Sequence, residues 1–198
     1  MLTYFVLAMS GIFLFVSIFI SDLVMIKISG HHIIHPAYWS GLSVVPVVLL
    51  AYVFGGISIH LTAGIFIEKK TQYLIWTSGI AAVSNVVANY FLIPQYGFMG
   101  AAYATLLAYA LGAFVLFIVV QRVYPVQYEY VRLFKIALSI GIVYYAKMLA
   151  VANGAATLSI KIGILCSWLV ILLLLGFFSS GELSRLAGLF GRRTSKPE

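Results

Sequence analysis

The strongest constraint on the fold is a series of long apolar runs that carry very few charged residues. A helix needs about 20 predominantly apolar residues to cross the hydrocarbon core of a bilayer. Six segments meet this requirement, namely Leu2–Ile20, Leu42–Ile67, Tyr73–Ile93, Gly100–Val120, Leu133–Val151 and Leu158–Phe178. The sequence therefore predicts an all-α, polytopic membrane protein built as a bundle of about six transmembrane helices.

The composition points to the same class of protein. Of the 198 residues, 63% are hydrophobic and 9% are charged. Soluble domains are typically about 45–50% apolar and about 25% charged. The single cysteine, Cys166, excludes an intrachain disulfide, and we interpret it as a small packing residue.

The basic residues are distributed unevenly between the two ends of the predicted helices. Three of the 12, Lys27, Lys147 and Lys161, lie at one set of ends. The other nine lie at the opposite ends: Lys69, Lys70, Arg122, Arg132, Lys135, Arg185, Arg192, Arg193 and Lys196. By the positive-inside rule, the second link, the fourth link and both termini are predicted to be cytoplasmic. We expect this charge to set the topology and to contact membrane lipids, and we expect no nucleic-acid partner.

Polar side chains inside the apolar runs are the candidate functional residues. Asn85 and Asn89 lie four residues apart in the third run, so they share one helix face. Two interpretations stay open. The pair either hydrogen-bonds to a neighbouring helix or lines a solvated substrate path. His60, in the second run, is either a neutral packing residue or a proton-sensitive group of the same path. These three residues are the cavity candidates.

The sequence offers no set of residues for covalent or metal chemistry. The carboxylates of Asp22, Glu68, Glu129, Glu182 and Glu198 all lie at run ends or in links, so we expect no acid–base pair inside the membrane. His31 and His35 would suit a metal ion only on a helix. Gly30 and Pro36 favour a loop there instead. We therefore expect no enzymatic activity, no cofactor and no metal site.

The link between the third and fourth runs predicts a tight helical hairpin. Pro94 is expected to end the third helix, because the residue before a proline avoids the α conformation. Gly97 and Gly100 permit a sharp reversal of the chain. Small residues then recur every four positions, at Gly100, Ala104, Ala108 and Gly112. Such a face lets two membrane helices pack closely.

The hairpin also carries a family resemblance. NVVANYFLIPQYGFMGAAYATLLAY, residues 85–109, resembles the segment NxxxNxxLIPxYGxxGAAxATxxxY of lipid-linked oligosaccharide flippases. These are the O-antigen, capsule and exopolysaccharide exporters of the multidrug/oligosaccharidyl-lipid/polysaccharide flippase superfamily. The segments PVVLLAYVFGGI (46–57), EKKTQYLIWTSGIAAVSN (68–85) and YPVQYEYVRLFKI (124–136) are similar to the flanking parts of those proteins.

The resemblance implies a fold, a domain organisation and a function. The chain is similar to the C-terminal half of a flippase, whose two helical bundles surround a central cavity. Residues 1–151 would supply helices of the C-terminal bundle (four core spans and the first appended span), residues 152–178 the last appended span, and residues 179–198 a basic cytoplasmic tail. The implied activity is the flipping of undecaprenyl-diphosphate-linked oligosaccharide across the inner (plasma) membrane by alternating access, for cell-surface polysaccharide biosynthesis. Glycosyltransferase or polymerase machinery is an implied partner, and a further bundle would complete the transporter.

Two other functions are compatible with the sequence. A cation-coupled antiporter of the same superfamily would export small molecules, and it would favour an acidic residue within the bundle. A non-transporting membrane subunit of a polysaccharide assembly complex would need no substrate path. No Asp or Glu lies in the middle of a predicted span, which counts against the antiporter, and co-purification of an N-terminal half would argue against the non-transporting subunit.

Overall fold

The structure is a computed structural model that describes residues 1–28, 31–32, 34–154, 157–178 and 181. Six α-helices are found in this part of the chain: α1 Leu2–Met25, α2 Val44–Ile67, α3 Gln72–Tyr96, α4 Phe98–Val123, α5 Tyr130–Ala152 and α6 Leu158–Leu174. Between α1 and α2, strands β1 Lys27–Ile28 and β2 His31–His32 pair antiparallel, and a 3₁₀ helix follows at Pro36–Ser43. The chain divides into two compact units, Met1–Glu129 and Tyr130–Glu198.

The prediction of an all-α membrane bundle is confirmed. Helices α1 to α5 are long and apolar enough to cross a membrane, and α6 is a shorter apolar helix of 17 residues. The observed bounds differ from the predicted runs by a few residues, most clearly in α1, which continues past Ile20 to Met25. The predicted basic tail, residues 179–198, lies outside the described residues except for Gly181.

In the first unit, α4 is the central helix. It packs extensively against both α2 and α3, whereas α2 and α3 contact each other at few points. Near the link between α2 and α3, the buried residues Leu61 and Ile65 of α2 pack against Leu116 and Val120 of α4. Thr3, at the start of α1, donates to the Glu129 carboxylate at 2.7 Å. This end of the unit, which holds the α2–α3 link and the end of α4, is called the link end below.

The α3–α4 hairpin forms as expected, but the predicted role of Pro94 is wrong. Helix α3 includes Pro94 and continues to Tyr96. Proline lacks an N–H, so at this position the helix loses only one hydrogen bond of its last turn. The Gly97 N–H still donates to the Ile93 carbonyl at 2.8 Å. The turn is made by Gly97 alone, whose φ of +57° favours glycine, and α4 begins at the next residue.

The small residues of α4 lie at the contact with α3. Gly100, Ala104 and Ala108 are buried. A Cβ at Gly100 would overlap the Leu92 carbonyl, and one at Gly112 would lie 3.1 Å from the Ala81 Cβ. Close backbone approach of this kind is what small-residue faces provide in membrane helices.

The second unit contains the antiparallel pair α5 and α6. The buried Trp168 indole N–H donates to the Ser139 hydroxyl at 3.0 Å, and that hydroxyl donates to the Ile136 carbonyl. Lys135 donates to the Gly176 carbonyl at 2.9 Å at the end of α6. The buried Trp168 and Ser139 groups are thus both hydrogen-bonded, as burial in an apolar bundle requires.

Candidate functional site

The candidate site is a cleft of about 680 Å³ in the first unit. Helix α4 forms its floor, and one face each of α2 and α3 forms a wall. The cleft exists because α2 and α3 both pack on α4 but separate from each other beyond their short link. Its lining residues are Gly55, Ser58, Ile59, Thr62, Leu74, Thr77, Ser78, Ala81, Ala82, Asn85, Val86, Thr105, Ala108, Tyr109, Gly112 and Leu116.

Seven of these 16 lining residues carry a hydroxyl or an amide, and none carries a formal charge. The seven are Ser58, Thr62, Thr77, Ser78, Asn85, Thr105 and Tyr109. The rest are alanine, glycine or aliphatic residues. Ile59 and Val86, which are 73% and 69% exposed, flank the cleft on its two walls. The cleft is therefore uncharged and mainly apolar, with hydroxyl and amide groups distributed along it and an exposed apolar rim.

Four of the hydroxyls present acceptor oxygens to the cleft. Ser58, Thr62 and Thr105 donate to the carbonyls of Phe54, Ile59 and Ala101 of their own helices, at 3.1, 2.6 and 2.9 Å. Thr77 donates to the Leu74 carbonyl at 3.2 Å. Because each donor proton is used within the helix, the remaining lone pairs can accept hydrogen bonds from a ligand.

Asn85 supplies donors to the same cleft, and Asn89 positions it. The Asn89 Nδ2 donates at 2.9 Å both to the Asn85 Oδ1 and to the Asn85 backbone carbonyl. The Asn85 side-chain amide N–H groups have no acceptor among the described residues. Asn85 therefore presents two free donors on the α3 wall, while Asn89 lies one turn further along and outside the lining. Their cavity role stays a prediction.

His60 is placed apart from the two asparagines. Its ring lies edge-on to Phe5 of α1, with centroids 4.3 Å apart, on a face of α2 that does not line the cleft. The structure thus brings Asn85 and Asn89 together and leaves His60 on the α1 side. The hairpin residues Pro94, Gly97 and Gly100 also lie outside the lining, whereas Ala108 and Gly112 form part of the floor.

Sequence reasoning did not identify the α2 wall of the cleft. Ser58 and Thr62 are four residues apart and share a face with Gly55 and Ile59. That hydroxyl pair, at helical spacing, was the available signal in the sequence, and His60 lies on another face of α2. On α4, Thr105 and Tyr109 repeat the same four-residue spacing.

Comparison with protein-family models, with curated proteins and with solved structures finds no match to this chain.

Proposed function

We propose that this protein translocates a lipid-linked oligosaccharide, of the undecaprenyl-diphosphate type, across the membrane by alternating access. The observation that carries the proposal is the neutral cleft between α2 and α3, which combines hydrogen-bond donors with acceptors. The family resemblance of residues 85–109 supports the same substrate class. The proposed activity involves no covalent step. The protein would lower the free-energy barrier to movement of the oligosaccharide across the membrane.

The polar groups of the cleft suit an uncharged sugar. Each sugar hydroxyl both donates and accepts, and the cleft offers acceptors at Ser58, Thr62, Thr77 and Thr105 and donors at Asn85. Each such bond contributes only about 0.5–1.5 kcal/mol net. Several weak bonds therefore hold the glycan without trapping it, as transport requires.

The apolar rim suits the lipid part of the substrate. Ile59 and Val86 are highly exposed on the two walls that flank the cleft. In a bilayer such side chains contact hydrocarbon without cost. A prenyl chain can then remain in the membrane while the attached sugar occupies the cleft and bonds to its hydroxyl and amide groups.

The antiporter alternative is less well supported. An antiporter for organic cations favours a carboxylate in the bundle. No acidic residue lies among the described residues that line the cleft. Within the described part of the chain, the carboxylates of Asp22, Glu68 and Glu129 lie at helix ends or in links.

The decisive experiment measures translocation of a fluorescent undecaprenyl-diphosphate oligosaccharide in membranes from cells that express the chain from its own locus. We expect Asn85→Leu to slow translocation about fivefold, because it removes a donor worth about 1 kcal/mol. Asn89→Leu should have a smaller effect, since it removes only the group that positions Asn85.

The matched control is Ser84→Ala, at the neighbouring position. Ser84 donates to the Ile80 carbonyl of its own helix and does not line the cleft, so translocation should not change. Wild-type membranes that export an organic cation but do not move the oligosaccharide would favour the antiporter. An Asn85→Leu protein with full transport would remove the cleft from the pathway.

A further inference from the structure

One aromatic ring lies among the small and hydroxylated residues of the cleft. Of the 16 described residues that line it, Tyr109 on the α4 floor is the one with an aromatic side chain. Leu116 lines the cleft near the link end, and Tyr109 lies about two turns away from it along α4. Tyr109 is 39% exposed, although α4 packs extensively against both α2 and α3. Part of the ring is therefore accessible from the cleft.

The Tyr109 ring is held from the α2 side. A Cβ at Gly55 would lie 3.0 Å from the ring, so the ring occupies space that a larger residue at position 55 would take. The Tyr52 ring, three residues earlier on α2, has its centroid 6.1 Å from that of Tyr109 and is tilted by 59°. This separation is within the range of favourable aromatic pairs. The two contacts determine where the Tyr109 ring lies beside the cleft.

The register of the α3–α4 hairpin places Asn85 at the depth of this ring. Gly112 of α4 lies beside Ala81 of α3, and the two helices run antiparallel. Tyr109, three residues before Gly112, is therefore level with Ser84 and within one residue of Asn85. Asn85 lines the cleft. At this depth the cleft combines an amide with free N–H groups on its α3 wall and an aromatic ring on its floor.

An aromatic ring beside an amide suits a cyclic sugar. The flat side of a pyranose carries C–H groups, which are apolar and weakly positive, whereas the face of an aromatic ring is negative. The hydroxyl groups at the edge of the same pyranose can accept from an amide N–H and donate to a wall hydroxyl. An open-chain polyol has similar hydroxyl groups but no flat apolar side.

Tyr103 provides a comparison on the same helix. It is also 39% exposed, and its ring lies edge-on to Tyr96 with centroids 6.0 Å apart. Tyr103 does not line the cleft. Partial exposure and contact with a second tyrosine ring are therefore common to Tyr103 and Tyr109, and Tyr109 alone combines them with a position in the cleft.

We propose that Tyr109 determines substrate specificity, and that the cleft binds a pyranose ring that stacks on the Tyr109 face and bonds to Asn85 through its hydroxyl groups. This assignment rests on the proposed function and deepens it, because it selects cyclic sugars over other uncharged, hydroxylated groups. Gly55 and Tyr52 are positioning residues, since they act through the location of the Tyr109 ring.

The test compares two probes that bind to the full chain in nanodiscs of phosphatidylcholine. One is farnesyl diphosphate joined to N-acetylglucosamine. The other carries N-acetylglucosaminitol, which retains the amide and hydroxyl groups but has no ring. The wild-type protein should prefer the pyranose probe, and Tyr109→Leu should lower that preference about fivefold, the effect expected of one aromatic contact. Tyr109→Phe should keep the preference, because the ring and not the hydroxyl makes the contact.

The matched control is Tyr103→Leu, the same substitution at an equally exposed position of α4 outside the cleft. It should leave both affinities unchanged. Asn85→Leu should weaken both probes about fivefold, because both carry hydroxyl groups. The preference is a ratio of two dissociation constants measured on one variant, so partial loss of folded protein does not alter it. Tyr109→Met, whose flexible side chain adapts to irregular space, repeats the test if Tyr109→Leu does not fold.

Three results would overturn the proposal and leave the proposed function intact. The first is a Tyr109→Leu or Tyr109→Met protein that keeps the full preference for the pyranose. The second is a wild-type protein that binds both probes equally while Asn85→Leu still weakens both. The third is loss of the preference in Tyr109→Phe, which would assign the contact to the hydroxyl. A wild-type protein that binds neither probe would contradict the proposed function itself.

Discussion

Helix α4 packs on its two neighbours in different ways. Against α3, its small residues meet backbone and small side chains, as at Gly100 beside the Leu92 carbonyl. Against α2, the situation is reversed, because the large Tyr109 of α4 lies on Gly55 of α2. A Cβ at Gly55 would be 3.0 Å from the Tyr109 ring. One interface is a close approach of two backbones. The other consists of side chains, with the Tyr109 ring on Gly55 and the buried contact of Leu61 and Ile65 with Leu116 and Val120.

The difference explains why a cleft forms on this helix. Backbone contact holds α3 and α4 at a short distance, whereas at Gly55 the contact between α2 and α4 is made by a side chain, the Tyr109 ring. Because α2 and α3 are each held by α4 and scarcely by each other, the space between them stays open. The α3–α4 pair should therefore behave as a rigid unit, and the α2–α4 contact should be the side of the cleft that can adjust.

The largest effect is expected at the backbone contact. Gly100→Leu places a side chain into the Leu92 carbonyl, which cannot move without breaking the hairpin, so we expect a loss of about 3 kcal/mol or more. Gly79→Leu is the control, since nothing lies within 4 Å of the Cβ position on that outward face of α3. Unfolding in mixed detergent micelles measures both variants. Equal stability of the two would show that the hairpin is not close-packed.

An intermediate effect is expected at the aromatic contact. Gly55→Leu should cost about 1–2 kcal/mol, because the Tyr109 ring can swing away from α2. The displaced ring then enters the cleft. The rate of oligosaccharide translocation should therefore fall even under conditions in which the variant stays fully folded. In a double-mutant cycle, Tyr109→Ala should recover most of the stability lost in Gly55→Leu. Additive losses would mean that the ring and the glycine do not interact.

The sequence predicted the helices well, because the bilayer requires long apolar runs and the chain satisfies this locally. The prediction was wrong at Pro94. The residue before a proline disfavours the α conformation, but the last turn of α3 gains hydrogen bonds by staying helical. In the structure those bonds prevail, and Gly97 ends the helix three residues later. Local rules locate a turn, but the balance between a proline and a glycine within four residues depends on the whole hairpin.

The candidate site was only partly predictable. Helical spacing showed that Asn85 and Asn89 share a face, and no spacing shows which neighbour that face meets. His60 illustrates the limit, since its polarity resembles that of Asn85 but its face meets Phe5 of α1. The α2 wall depends on which face of α2 lies beside α4, and that is a property of tertiary packing.

The smallest effect is expected at Gly112, which tests how close the two backbones are. Gly112→Ala gains about 1 kcal/mol of helix propensity, but its methyl group would lie 3.1 Å from the Ala81 Cβ. We expect the two contributions nearly to cancel, so that stability changes by less than about 0.5 kcal/mol. Gly79→Ala, with open space around it, should show the full gain. If both variants are stabilised equally, α3 and α4 can separate slightly. The contact between α3 and α4 would then be as adjustable as the contact between α2 and α4.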